Sequence, residues 1–272
     1  MKPGEPASAH LQTHTVGTPQ RHVLRGAWRA FSLVLHIFRG LWIVWTRFGG
    51  MTPAQQQVEV VRWAAGVVRH CGITLKVQGQ PAPSAHGTGA LLVANHISFL
   101  DIPAIHATGY CRFVSKDEVK SWPLIGTLAT RTGTLYLHRA SRRDALRMLQ
   151  VLADALRAGD ILAIFPEGTT SDGLSLLPFH ANLLQAPIDA DAPVQPVAIR
   201  FFDAQGNISL SPCYIGDDTL VASLWRTLCD KGLEVRVRFG TPENANGRGR
   251  QQWAQDLRLR VQELLQQPHD VD

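Results

Sequence analysis

Two short runs of this chain are entirely apolar, and they constrain the fold more than any other feature. Residues 90–94 read Ala-Leu-Leu-Val-Ala, residues 161–165 read Ile-Leu-Ala-Ile-Phe, and a glycine shortly precedes each run. Strands without polar alternation are buried on both faces, as in a parallel sheet that helices cover. Further strands are predicted at 73–77, 113–115, 134–137, 194–201 and 233–239, and helices at 98–107, 141–159 and 251–265. This alternation predicts an α/β fold with a mostly parallel, mixed central sheet and helices on both faces.

Composition limits the classes of protein that remain. The 272 residues are enough for one large α/β domain with an extension. The four cysteines form no C-x-x-C pair, so we expect neither a metal site nor a disulfide framework. The net charge of +5 arises within residues 1–50, which carry six basic residues and one acidic residue. Because the rest of the chain is balanced in charge, we expect no nucleic-acid partner.

The N-terminal 70 residues divide into two parts. Residues 1–20 are polar and lack an apolar signal core, so we predict a disordered tail. Residues 21–70 predict two helices joined at the glycines of positions 49 and 50, and the first helix places its basic residues on one arc opposite a broad apolar face. Such a profile is typical of a helix that lies in a membrane interface, although an amphipathic helix packed on the protein's own core has the same pattern.

The first apolar strand leads into a motif that could carry chemistry. Asn95 and His96 follow the strand directly, and Asp101 comes five residues after His96. If His96 lies in the loop and Asp101 in the first helical turn, the carboxylate can orient the imidazole and leave its other nitrogen as a general base. The same residues also fit a capping box, in which Ser98 and Asp101 merely close the start of a helix.

Three other segments place polar groups after predicted strands. Phe165-Pro166-Glu167-Gly168-Thr169-Thr170-Ser171 offers a tight turn with backbone amides and hydroxyls for an anion or an ester oxygen. Arg139 ends the segment 133–139, and Lys116 follows the strand at 113–115; either could hold a phosphate. Taken singly, these are also the features of an ordinary turn and of ordinary surface cations.

Taken together and in this order, the segments resemble the sequence blocks of the glycerolipid acyltransferase family. The first block, N-H-x-x-x-x-D, is matched by Asn95, His96 and Asp101, and the third, F-P-E-G-T-x-S, by residues 165–171. A Gly-to-Arg segment at 133–139 and an apolar strand with an internal proline at 194–199 match the second and fourth blocks. The resemblance covers about residues 70 to 240. It implies that residues 71–272 form an acyltransferase domain, and the amphipathic profile of residues 21–70 predicts a membrane-associating helix pair that precedes it.

The resemblance also implies site residues and substrates. His96 would take the proton of an acceptor hydroxyl and Asp101 would orient His96, with the acyl group supplied as a thioester of coenzyme A or acyl carrier protein. Lys116 and Arg139 would bind the acceptor's phosphate. The acceptor site would be shaped by Glu167, Gly168, Thr169 and Thr170. No cofactor or metal is implied, and a membrane-associated enzyme at the cytoplasmic face is expected.

The acceptor is expected to be lysophosphatidate, with alternatives. Thr170 stands where many members of the family have arginine, and His180 stands where a lysine is common. Both differences weaken the argument for a phosphate headgroup, so lyso-ornithine lipid or another lysolipid is the alternative acceptor. A lipid-binding protein with an inactive site is an alternative of another class, and the intact pair His96 and Asp101 argues against it.

Overall fold

The computed structural model describes residues 22–82, 87–137 and 141–267, and these residues form the predicted α/β fold. The helices are α1 (Val23–Thr46), α2 (Pro53–His70), α3 (Asp101–His106), α4 (Ile125–Arg131), α5 (Arg142–Arg157), α6 (Gln185–Ala190), α7 (Leu220–Leu228) and α8 (Arg250–Gln266). The strands are β1 (Ile73–Gln78), β2 (Ala90–Ala94), β3 (Arg112–Lys116), β4 (Leu135–Leu137), β5 (Ile161–Ile164), β6 (Val194–Asp203) and β7 (Leu233–Phe239).

The seven strands form one sheet in the order β1-β7-β6-β2-β5-β3-β4. All neighbouring pairs are parallel except β6 and β7, which are antiparallel, so the prediction of a mostly parallel mixed sheet is confirmed. The two apolar runs, β2 and β5, lie side by side in the centre. The loops that follow them therefore leave the sheet next to each other at its carboxyl edge, where ligand sites of open α/β sheets collect.

Helices cover both faces of the sheet, as predicted. Alternate residues of β2 point to opposite sides: Leu92 packs into the core formed with α1, α2, α3 and α7, and Leu91 packs into the core formed with α5, α6 and α8. We call these two sides of the molecule the α1 side and the α5 side. Each buries a separate apolar core, which is why the central strands contain no polar residue.

The N-terminal helices form the predicted antiparallel pair. A short 3-10 helix, Phe48–Gly50, joins them, and Thr52 caps α2 in a capping box with Gln55. Pairing of the start of α1 with the end of α2 is seen in the hydrogen bond between Ser32 and His70. The helix pair is thus anchored by its own contacts and by packing on the sheet.

Two arginines near the start of α1 bond to the protein. Arg29 Nη1 donates to the carbonyl oxygens of Leu228 and Asp230 at 3.0 and 2.7 Å, and Arg25 donates to that of Lys231 at 2.7 Å. Carbonyls at the C-terminal end of a helix lack partners within the helix, so two arginines of α1 satisfy those that follow α7. Arg25 and Arg29 therefore attach the start of α1 to the domain, while Arg39 and Arg47 of the same arc are exposed.

The apolar face of α1 consequently points away from the protein. Trp28 on this face is 69% exposed. The other large apolar side chains exposed on this helix are Val23, Leu24, Phe31, Val34, Leu35, Phe38, Trp42 and Trp45. By length and composition alone, α1 could cross a membrane, since its 24 residues span about 36 Å. Its opposite side, however, packs on the domain from Gly26 to Val44, so only a stripe of the helix is free.

Two local predictions differ from the structure. The helix expected over 98–107 begins only at Asp101 and ends at His106, because residues 96–100 form a loop that bonds to the Asp101 side chain. The strand expected from residue 134 begins at Leu135. The predicted tail, residues 1–20, lies outside the described residues.

Candidate active site

Asn95 fixes the point at which the chain leaves the central sheet. Its side-chain Nδ2 donates to the Ile199 carbonyl at 3.0 Å, and its Oδ1 accepts from the Ile199 N–H at 2.8 Å. The buried amide thus continues the pairing of β2 with β6 by one position, although the backbone has already turned away. His96 is thereby placed at the start of a loop, the position its proposed chemistry requires.

One carboxylate oxygen organises the loop after Asn95. Asp101 Oδ2 accepts hydrogen bonds from His96 Nδ1 at 2.9 Å, from the Ile97 N–H at 2.7 Å and from the Ser98 N–H at 2.9 Å. Asp101 is fully buried, at the first position of α3. The predicted capping box is wrong, because Leu100 is the residue that precedes α3 and no side chain caps the helix. The Asp101 oxygen instead closes the loop before the helix and orients the imidazole.

Ser98 is part of this loop and does not face a ligand. It is fully buried, and its Oγ accepts the Leu100 N–H at 3.2 Å. This bond satisfies an amide just before α3, so the role of Ser98 is local and structural. The geometry agrees with a mechanism in which this serine is not a nucleophile.

The imidazole of His96 is held on two sides. Its ring stacks on Phe165, the residue after β5, with ring centroids 4.0 Å apart and an interplanar angle of 9°. Because Nδ1 donates to a buried carboxylate, its proton is fixed there, and Nε2 carries the lone pair. Nε2 makes no hydrogen bond within the described part of the chain, which leaves it able to accept a proton.

Glu167 joins the two loops that carry the motif residues. Its Oε1 accepts the His96 N–H at 2.8 Å, and its Oε2 accepts the Leu177 N–H at 2.9 Å. The side chain is buried, and burial raises the pKa of Glu167 above its ordinary value, while the two backbone donors act in the opposite direction. Since both oxygens bond to the protein backbone, Glu167 positions His96.

The turn after Glu167 lies against the same loop. Gly168 has φ +71°, a conformation that favours glycine, and the Ser171 N–H donates to the His96 carbonyl at 2.9 Å. Thr170 Oγ1 donates to the Tyr214 carbonyl. The N–H groups of Thr169 and Thr170 have no acceptor among the residues described, so these two amides remain for a ligand. The turn therefore offers backbone donors beside His96, with the hydroxyl of Thr170 already engaged.

The two predicted phosphate ligands are less closely tied to His96. Lys116 ends β3, two strands from β2 and therefore about 10 Å across the sheet, and its exposed side chain makes no ion pair within the described ranges. Arg139 lies outside the described residues. The structure thus brings together His96, Asp101, Glu167 and the 168–170 turn, and it places Lys116 on the same sheet edge.

Three contributions to this geometry were not predicted from the sequence. They are the clamp of Asn95 on β6, the stacking of Phe165 on His96, and the carbonyl of Tyr214, which accepts from Thr170. The first two residues stand inside the motifs, so their position next to apolar strands was the available signal. Tyr214 lies 44 residues after Thr170, and no local pattern marks it.

Comparison with known proteins confirms the resemblance. The family described as Acyltransferase matches residues 74–200. A protein of Neisseria meningitidis named 1-acyl-sn-glycerol-3-phosphate acyltransferase is 40% identical over 190 residues, which cover 70% of this chain and 73% of the relative. A Pseudomonas aeruginosa protein named lyso-ornithine lipid O-acyltransferase is 36% identical over 215 residues, or 79% of this chain and 81% of the relative.

A solved structure has the same fold. It is that of the 1-acyl-sn-glycerophosphate acyltransferase PlsC from Thermotoga maritima, with a TM-score of 0.66 and 20% sequence identity. The similarity covers 91% of this chain and 97% of the other. It therefore includes the N-terminal helices as well as the sheet.

Proposed function

This chain belongs to the acyltransferase family, and we propose that it transfers a fatty acyl group from a thioester donor to the free hydroxyl of lysophosphatidate, giving phosphatidate. The observation that carries the proposal is the pair formed by His96 and Asp101, with Nδ1 bound to a buried carboxylate and Nε2 free. Imidazole in this arrangement is a general base for a hydroxyl. The donor is acyl-coenzyme A or an acyl carrier protein.

The proposed reaction needs one proton acceptor and no covalent intermediate on the enzyme. Nε2 of His96 takes the proton of the acceptor hydroxyl while the hydroxyl oxygen attacks the thioester carbonyl carbon. The imidazolium is stabilised by Asp101 at 2.9 Å. When the carbon–sulfur bond breaks, the imidazolium returns the proton to the leaving thiolate. An ester and a free thiol are formed, and His96 is again neutral.

The headgroup of the acceptor is proposed to lie along the carboxyl edge of the sheet. Lys116 supplies an exposed cation there, Arg139 follows β4 in sequence, and the free amides of Thr169 and Thr170 can donate to an anion or to the acyl carbonyl. Gly168 permits the turn that presents these amides. These groups support recognition of a phosphate that lies beside the reacting hydroxyl.

A lyso-ornithine lipid is the second candidate acceptor. Thr170 replaces a cation of the family's third block, and its hydroxyl is already engaged by Tyr214. The turn therefore adds no positive charge of its own for a phosphate. The similarity to a lyso-ornithine lipid O-acyltransferase over 79% of the chain favours the same alternative.

The helix pair of residues 21–70 is proposed to hold the acyltransferase domain, residues 71–272, on a membrane. The support is the exposed stripe on α1, in which Trp28, Phe31 and Phe38 are each more than half exposed. An apolar stripe of this size on one helix is typical of a helix lying in the interface. Because acyl thioesters are made in the cytoplasm, we assign the enzyme to the cytoplasmic face.

The proposal is tested by assaying the purified full chain with two acceptors in parallel, lysophosphatidate and lyso-ornithine lipid, each with acyl-coenzyme A and with acyl carrier protein. We expect phosphatidate as the main product. The variant His96→Ala should lose at least about 10³-fold in kcat, the scale of a lost general base. His70→Ala, a histidine that bonds to Ser32 on α1, is the matched control and should retain activity.

The outcomes separate the alternatives. Turnover of lyso-ornithine lipid alone would replace the proposed acceptor and keep the mechanism. Unchanged turnover in His96→Ala would refute the mechanism. Tight lipid binding by the wild-type protein without turnover of either acceptor would support the non-catalytic alternative.

A further inference from the structure

We propose that the segment between β3 and α4, residues 120–125, is a second membrane contact that is separate from the exposed face of α1. The proposal deepens the function above, because it concerns how the same site is presented to a lipid acceptor. Its occupant is a lipid bilayer, with the apolar side chains of the segment in the interface and its lysine among the headgroups.

All six residues of the 120–125 segment are exposed, although three of them are large and apolar. Trp122 is 37% exposed, Leu124 41% and Ile125 38%. Lys120 begins the segment, and its ammonium lies 6.0 Å from the ring centroid of Tyr136. Tryptophan and aliphatic residues beside lysine are the composition that proteins use at a membrane–water interface.

The backbone of the segment holds Leu124 outward at a cost in strain. Leu124 has φ +63° and ψ −52°, and the Ile125 N–H donates to the Pro123 carbonyl at 2.6 Å, so these residues form a tight three-residue turn. For a residue with a side chain this turn is rare and strained, and strain of this kind is concentrated at functional positions. Glycine would relieve it, yet the position carries an exposed leucine.

The 120–125 segment leads into α4, which packs on α1. Leu128 of α4 shares a buried apolar cluster with Leu41 and Val44 of α1. Trp42 and Trp45, the neighbours of those two residues on α1, are exposed. The segment thus adjoins the helix that packs on the part of α1 carrying these tryptophans, so a single bilayer can contact both.

The charges near the segment are mixed, and its own single charge is a lysine next to the apolar residues. Lys120 is the only charged residue within the segment, and Lys116 is exposed at the end of β3. Asp117 and Glu118 lie between them on the 3-10 helix Asp117–Ser121, and Glu118 is exposed as well. Tryptophan and lysine so close together match an interface in which headgroups and acyl chains are both within reach.

This contact has a consequence for the active site. The segment follows β3 at the carboxyl edge of the sheet, the same edge at which His96 follows β2. A helix lying in the interface can roll about its own axis, and a second contact beside it prevents that rotation. Together the two contacts hold the sheet edge that carries His96 toward the lipid acceptor.

The test measures binding of the full chain to vesicles of phosphatidylethanolamine and phosphatidylglycerol. The double variant Trp122→Ser/Leu124→Ser should lower the vesicle partition coefficient roughly tenfold, since two partly buried apolar side chains are lost from the interface. The matched control is Leu146→Ser/Leu259→Ser, which removes two leucines that are 61% and 53% exposed on the α5 side. We expect the control to bind vesicles as the wild type does.

A second variant separates membrane contact from structure. Leu124→Gly removes the side chain and relieves the positive φ, so it should weaken vesicle binding several-fold while the thermal midpoint is unchanged or raised. The proposal is overturned if vesicle binding is unchanged in both Leu124 variants, or if the α5-side control loses as much binding. It is also overturned if Trp122→Ser/Leu124→Ser changes the oligomeric state in solution instead, because a second copy would then be the occupant.

The outcome is distinguishable from a failure of the proposed function. Vesicle binding that depends on Trp122 and Leu124, in a protein that turns over no lysolipid, would support the contact and refute the reaction. Acyl transfer to an acceptor in detergent micelles, with vesicle binding that is insensitive to both residues, would support the reaction and refute the contact.

Discussion

Replacing Asp101 by asparagine tests the candidate site most directly, because it removes the charge and can keep the shape. The asparagine carbonyl can occupy the position of Oδ2 and accept the same three hydrogen bonds from His96, Ile97 and Ser98. Its amide then occupies the position of Oδ1, which is buried and has no hydrogen-bond partner within the described ranges. The three hydrogen bonds should preserve the loop and the start of α3, while the unpaired buried amide should lower the free energy of unfolding by about 1–3 kcal/mol.

The expected loss follows from the ion pair that forms during the reaction. His96 becomes an imidazolium next to the Asp101 carboxylate, with Nδ1 and Oδ2 2.9 Å apart. Two unit charges about 4 Å apart attract each other by about 4 kcal/mol at an effective dielectric constant near 20. Because about 1.4 kcal/mol corresponds to a factor of ten, Asp101→Asn should lower kcat by about 10³-fold.

The assay is steady-state acyl transfer from a thioester, followed through the released thiol, together with the thermal midpoint of the same preparation. We expect the large loss in kcat with a midpoint lowered only by the cost of the unpaired buried amide. A loss smaller than tenfold in a folded variant would show that Asp101 only closes the start of α3. A parallel collapse of the midpoint would show that the carboxylate acts mainly through the loop.

Two further predictions concern Glu167 and α1. Glu167→Gln leaves the N–H of His96 or of Leu177 facing an amide, which should destabilise the protein by about 1–3 kcal/mol and lower kcat. Burial raises the pKa of Glu167. The stability of the wild type should therefore fall as pH rises from the ordinary pKa of 4.5 through the raised pKa. Denaturant titrations should show that the difference in free energy of unfolding between the wild type and Glu167→Gln becomes smaller over that range. Trp28→Ser/Phe38→Ser should reduce sedimentation with vesicles without lowering the midpoint, because both side chains already face away from the protein; retained membrane binding would contradict the proposed role of α1.

Substitutions on the exposed face of α1 test membrane binding better than removal of the helix pair, because the two helices also complete the core. Leu33 of α1 and Val67 and Val68 of α2 are buried in the core on the α1 side of the sheet. A protein without residues 1–70 would expose that core and lose membrane binding for a reason unrelated to lipid contact. Substitution of exposed residues keeps the core intact and isolates the surface.

The order of secondary structure was predictable because it depends on local patterns. Two fully apolar runs can be buried on both faces only in the middle of a sheet, and β2 and β5 are adjacent there. The pairing of His96 with Asp101 was also predictable, since a loop followed by a helical turn brings residues five apart together. Local patterns do not give the order of the strands in the sheet. The hydrogen bond from the Ile199 N–H to the Asn95 side chain was therefore not predicted.

The orientation of α1 is the clearest example of a feature that the sequence could not predict. Its sequence specifies an amphipathic helix with arginines on one arc, and that helix is present. Sequence periodicity defines two faces but gives no information about which one the rest of the protein contacts. Carbonyls at the end of α7, about 200 residues away, accept from Arg25 and Arg29, and those bonds fix which side of the start of α1 lies against the domain.

The sequence by itself thus determined the fold class, the pair of N-terminal helices and the contact between His96 and Asp101, because each depends on neighbours within a few turns or on the burial of a single strand. Only the tertiary structure decided that Glu167 bonds to the His96 backbone, that Thr170 is engaged by Tyr214 and that the apolar face of α1 is exposed. These are contacts between segments that lie 44 residues or more apart in the chain, and they form only when the sheet brings the loop ends and helix termini to one place.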